Sequence, residues 1–182
     1  VLSHAYLARS SSAEPLLRST GSAFMAQMSI ISTTFTDSAS HCIELQGSVE
    51  FYAEDLETNN CESDALWALG TYLSINGMTT QDPVTMSGVE GELHDLDGTE
   101  ITVNNVDGFS MSDLMLESIY GSDNREINID GAVITGAPAI DFDNTAGVLS
   151  NLAVDCGGSG TGITSHHGRA SSSIQVSDST VS

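Results

Sequence analysis

The stretch SHHGR, Ser165 to Arg169, is the one place in this sequence where His and Arg stand together. There His166 can take up a proton and Arg169 can hold developing negative charge, the division of labour that a polysaccharide-cleaving site needs. A uronate polymer asks for several basic groups, however, and the chain has four Arg and no Lys. The expectation for SHHGR is therefore a surface turn. CGGSGTG, Cys156 to Gly162, has the glycines of a phosphate-cradling loop but no P-loop lysine, and its acidic setting repels phosphate. DLDGTE, Asp95 to Glu100, has the sound of a calcium loop, yet Leu93 stands where an acid is needed and Glu100 where an aliphatic residue is needed. Both read as turns. No GxSxG elbow, HExxH pair or Cys–His spacing occurs anywhere.

Composition sets bounds on what such residues can serve. Twenty-five Asp and Glu against four Arg give a formal net charge of −21. A surface of that sign excludes nucleic acid and anionic membranes as partners and favours cations. Hydrophobic residues make up 40%, too many for a disordered acidic tail. No run of apolar residues is long enough to insert into a membrane. VLSHAYLARSSSAEPLL lacks the apolar core of a secretory signal, and the expectation is a processed chain or an excised segment. The aromatic residues, Trp67 and Tyr72 among them, are too scattered for a sugar-stacking stripe.

The elements that must position these side chains follow from a cadence. INIDGAVI, from Ile127, has apolar residues at its first and third places, and the same pattern starts at Met28, Val49, Leu73, Ile101, Leu152 and Ile174. The windows recur every 21 to 28 residues. Alternation with period two marks short strands with one buried face. A unit of this length cannot bury its apolar face alone and must stack on its neighbours. Further apolar pairs in CIEL (42–45), ALWAL (65–69), AIDF (139–142) and GIT (162–164) supply additional strands for each coil. The competing expectation is an α/β fold, with short helices over ESDALWALGTYL and SMSDLMLESIY.

The repeat resembles the right-handed parallel β-helix, the pectate-lyase-like solenoid common in extracellular microbial proteins. GVLSNLAVDCGGSGTGITSHHGRASSSIQVSDSTVS is similar to the coils of large, repetitive surface proteins with that fold. The resemblance implies an all-β solenoid of six to seven coils over residues 28–182, with residues 1–27 as a cap or degenerate lead-in.

Within that register Ile101, Ile127, Leu152 and Ile174 are expected in one inward column, and Val103, Ile129, Val154 and Val176 in the next. The fourth place of each window points outward and puts Asn104, Asp130 and Asp155 on successive coils. Two carboxylates stacked so closely repel, so one pKa rises, a cation bridges them or the side chains turn apart into water; in a chain of this charge Asp130 and Asp155 are the candidate ligands of a Ca²⁺ ion. Cys42 and Cys61 lie about one coil apart, within reach of a disulfide, and Cys156 is left unpaired. The expected role is a non-catalytic structural or adhesive segment of a secreted or cell-surface protein. Its partners would be cell-surface glycans or neighbouring coils of a longer parent chain. A polysaccharide lyase, a glycoside hydrolase or a glycan-binding module of the same fold is the alternative.

Overall fold

The computed structural model describes residues 1–3, 5–10, 14–158, 160–167 and 172–182. Among them all regular structure is β-strand, and the paired strands run parallel, one coil stacked on the next. The chain is a parallel β-solenoid, with seven turns between Met28 and Ile174.

One turn is legible in residues 118–134. Strand β11 (Ser118–Ser122) points Ile119 into the core and Tyr120 outward. After a corner, β12 (Ile127–Ile134) buries Ile127 and Ile129 and exposes Asn128 and Asp130. Gly131 then takes a φ of +69°. This left-handed residue bends the strand, so that Ala132 and Ile134 face the same core from a new side while Val133 faces solvent. Each coil therefore contributes to three parallel ladders, one carried by β11 and one by each half of β12. In these ladders Ile119 sits between Ile101 and Ile140, Ile127 between Phe109 and Gly147, and Ala132 between Leu114 and Leu152.

The bend recurs on every coil. Ser32, Asp55, Gly77, Asp95, Asp113, Gly131, Asn151 and Asp178 all have positive φ and stand at equivalent places. A second such series, Gly70, Gly88, Asn105, Asp123 and Asn144, closes the corner after the first ladder. There each backbone N–H donates across to the coil above, as Asn105 does to the Ser122 carbonyl at 2.9 Å. Gly, Asn and Asp are the residues that enter this backbone region at least cost. Their abundance thus reflects two bends per coil and not hairpin turns.

The core is a stack of aliphatic and aromatic layers, with Phe35, Phe51, Phe109 and Phe142 fully buried. Burying one such side chain contributes about 1.5–3 kcal/mol. Gly91 and Gly147 stand where neighbouring rungs have Leu73 and Ile127. A Cβ there would lie 2.0 Å from the Leu73 carbonyl oxygen and 2.1 Å from that of Ile127. Cys42 and Cys61 form a disulfide across a Cα–Cα distance of 5.5 Å, joining the start of one coil to its end, and Cys156 is free and buried.

Several expectations change. Four of the seven steps are shorter than the sequence cadence: the second-ladder rungs begin at residues 28, 51, 73, 91, 109, 127, 147 and 174. Ile101, Ile127, Leu152 and Ile174 do not share a column. Ile101 belongs to the first ladder, Ile127 and Ile174 to the second, and Leu152 to the third. Val103, Ile129, Val154 and Val176 divide in the same way. The two segments proposed as helices are strands: β5 (Leu66–Leu69), the start of β6 (Tyr72–Thr80), β10 (Phe109–Leu116) and part of β11. Residues 1–27 contribute β1 (Leu2–Ser3), β2 (Tyr6–Ser10) and the beginning of β3 (Leu17–Ser38), all of them in the same ladders.

Candidate functional site

Outward-facing side chains of the first ladder line a shallow cleft of about 370 Å³. Four strands build it: β9 (Glu100–Asn104), β11, β13 (Ile140–Asp143) and β15 (Ile163–His166). The register stacks Asn104, Ser122, Asp143 and His166 in one column, with Tyr120 and Asp141 in the column beside it. Alternation alone sets this pattern, because Ile140 and Phe142 between them are fully buried.

The floor is held by Asn124, which is buried at a corner. Its Nδ2 donates to the Val103 carbonyl at 2.9 Å and to Thr145 Oγ1 at 3.3 Å, and its Oδ1 accepts from the Val106 N–H at 3.0 Å. Every hydrogen-bonding atom of the amide is engaged with an adjacent rung, which fixes the strand spacing under the cleft. At Gly121 an added Cβ would fall 2.7 Å from the Phe142 ring, so the absent side chain makes room for that ring. Above the floor, Ser122 presents both its N–H and its hydroxyl to Asn104 Oδ1, at 3.1 and 2.8 Å. His166 Nε2 lies 3.8 Å from Asp141 Oδ1. Two carboxylates, an imidazole and a phenol thus face one volume. Carboxylates accept hydrogen bonds from sugar hydroxyls, a Tyr ring stacks on a sugar's apolar face, and an imidazole beside a carboxylate can relay a proton.

The sequence-derived candidates are distributed differently from expectation. His166 belongs to this cleft, on a strand and not in a turn. Its supposed partner Arg169 lies outside the described residues. Asp130 and Asp155 are not brought together. Asp130 stands level with Ser112 and Ser150 on the second ladder. Asp155 lies past the end of β14 (Gly147–Val154), where its carboxylate accepts the Gly157 N–H at 2.9 Å. The stacking that called for a Ca²⁺ ion is absent because the 25-residue step from Ile127 to Leu152 crosses from one ladder to another. Asp130 is satisfied by its neighbours: Ser150 Oγ donates at 2.8 Å and Asn151 Nδ2 at 2.6 Å. Those hydrogen bonds, led by that of Ser150, hold its carboxyl below the usual carboxylate range. Among the described residues no group of three or more His, Cys, Asp or Glu is placed to hold a metal ion.

Cross-rung pairing is also what His41 and His94 do, whereas His167 lies 3.3 Å from Ser165 Oγ and 3.2 Å from Ser172 Oγ. His41 Nδ1 is 3.0 Å from Asp64 and His94 Nδ1 is 3.2 Å from Asp113, each on the coil above. His94 Nδ1 also lies 2.7 Å from Ser112 Oγ. His41 and Asp64 are near Trp67, whose ring stacks on that of His41 at 5.8 Å. Asp141, Asp143 and Tyr120 escape a reading of the sequence. A carboxylate two residues from another, inside AIDFDN, carries no signature until the register places His166 one rung away.

No protein-family model, no curated protein and no solved structure matches this chain.

Proposed function

We propose that this chain is a structural or adhesive β-solenoid segment of a secreted or cell-surface protein, without catalytic activity of its own. The supporting observation is the unbroken three-ladder stack, one coil of which is closed by the Cys42–Cys61 disulfide. Disulfides persist in oxidising compartments, and a ladder built from parallel rungs is a stiff spacer about 4.8 Å long per coil. Its acidic flanks fit cell-surface glycans of neutral or basic character, and its ladders fit neighbouring coils of a longer parent chain. Binding of an antibody against this chain to intact, non-permeabilised source cells tests the location: binding comparable to that for a known surface protein supports the reading, and binding only after lysis contradicts it.

The cleft of Tyr120, Asp141, Asp143 and His166 supports a second reading, a glycan-binding or glycan-cleaving site. Incubation with neutral and acidic polysaccharides separates the two. Release of reducing ends that is lost in Asp141→Asn and in His166→Ala would favour an enzyme. Binding without release, lost in Tyr120→Ala, would favour a glycan-binding module. No release and no binding would favour the rod.

A further inference from the structure

Strands β4 (Ile43–Cys61) and β6 bring two tyrosines together on the outer face of the second ladder. The ring centroids of Tyr52 and Tyr72 are 6.1 Å apart and their planes are tilted by 47°. Both side chains face outward by alternation, since Phe51 and Leu73 beside them are fully buried. Tyr72 stands level with Glu50 on one coil and with Glu90, the first residue of β8 (Glu90–Asp97), on the other. Tyr52 is level with Ser74, whose hydroxyl donates to Glu92 at 3.2 Å. The Tyr52 hydroxyl donates to Glu50 Oε2 at 3.4 Å, and Gln27 Nε2 donates to the same oxygen at 3.1 Å.

The two rings form a wedge bordered by Glu50, Glu90 and Glu92, with Glu54 next along β4. No basic residue occupies these two columns between Gln27 and Glu92. An aromatic face carries negative potential and attracts a cation lying within about 6 Å of the ring centroid. Carboxylates on neighbouring rungs, about 4.8 Å away, add to that potential. Trp67 is different, because its ring is stacked on that of His41 and one face is taken.

The chemistry of the wedge selects the kind of cation. A small metal ion needs several oxygens converging on one point. Here the carboxylates stand on the first and third of three successive coils, and among the described residues no group of three or more His, Cys, Asp or Glu is placed to hold a metal ion. A primary ammonium exchanges its water for hydrogen bonds, which ring faces do not supply. A quaternary ammonium has no N–H to satisfy, and its methyl groups gain from contact with the rings. Tyr52 also lines a depression of about 260 Å³ with Ile31, Glu54, Ser74 and Asn76, which has room for the rest of a small ligand.

We infer that the Tyr52–Tyr72 pair binds the quaternary ammonium group of a small organic cation. The site is separate from the Tyr120 cleft, which lies on the first ladder, and the inference holds whether or not the chain is a structural rod.

Proton NMR of choline titrated with residues 1–182 tests it. The control is the neutral carbon isostere of choline, with tert-butyl in place of trimethylammonium. The expected result is a saturable upfield shift of the trimethylammonium resonance, produced by the ring currents, and little shift of the tert-butyl resonance. Tyr72 is 39% exposed, so Tyr72→Leu should keep the wild-type circular dichroism. It should weaken choline binding by about fivefold, as should Tyr52→Leu, whereas Tyr72→Phe, which keeps the ring, should bind nearly as the wild type does. Absence of a saturable shift would overturn the inference. So would equal binding of the neutral isostere, or undiminished choline binding by both leucine variants.

Discussion

Asp130 shows how single residues serve the stack. Its carboxylate accepts hydrogen bonds from Ser150 and Asn151 on the next coil, at 2.8 and 2.6 Å, and is held below its ordinary range by them. A group depressed on folding contributes stability above its unfolded-state pKa and loses it as pH falls through the folded value. In an NMR pH titration, Ser150→Ala should therefore move the Asp130 midpoint upward. An unchanged midpoint would remove the hydrogen bond as the cause. Thr58 presents the opposite case, since its buried hydroxyl has no partner. An unsatisfied buried polar group is costly, so Thr58→Val should raise unfolding stability by about 1 kcal/mol, read from the denaturant midpoint. In the core proper, Ile129→Ala should cost about 2–5 kcal/mol.

At the scale of the element, the unit is an eight-residue strand with a bend at its fifth place. Asp113 holds φ at +52°, where a β-branched side chain is strained. Asp113→Val should lower stability by about 1–2 kcal/mol, whereas Asp113→Gly should leave it nearly unchanged; equal losses in thermal melts would remove the bend as the reason. The alternation, the stacking and the extra strand in CIEL, ALWAL, AIDF and GIT are all legible in the sequence, because inward positions must be apolar. The register is not. Gly91 and Gly147 occupy first positions where a search for large apolar residues finds nothing. Val49 precedes the true rung start at Phe51 by two residues and preserves the alternation. Ile101 and Leu152 begin equally good apolar pairs on the other two ladders. The bend series is visible in the sequence only once the rungs are aligned, since Ser, Asp, Gly and Asn alternate at the bend and also occur throughout the rest of the chain. The cleft inherits the same difficulty, because Asp141 and His166 become neighbours only through the register.

For the molecule as a whole, stability is a sum over neighbouring coils, and the disulfide closes the loop from Cys42 to Cys61 within it. Replacing both cysteines by serine should lower the unfolding free energy by about 2–4 kcal/mol, and a loss below about 0.5 kcal/mol would contradict a closure of the kind described. Everything said of the surface, from the cleft to the outward columns, depends on which residues lie level on adjacent coils. Nitroxide labels can read that directly in a Cys156→Ser background. Asn128 and Val148 face outward and stand in register, so labels at that pair should lie about 5 Å apart along the ladder direction and show strong dipolar broadening. The pair Asn128 and Ala153, which the 25-residue cadence of the sequence would align, should show much weaker broadening. Strong broadening in the second pair and not in the first would contradict the register, and with it the account of the surface.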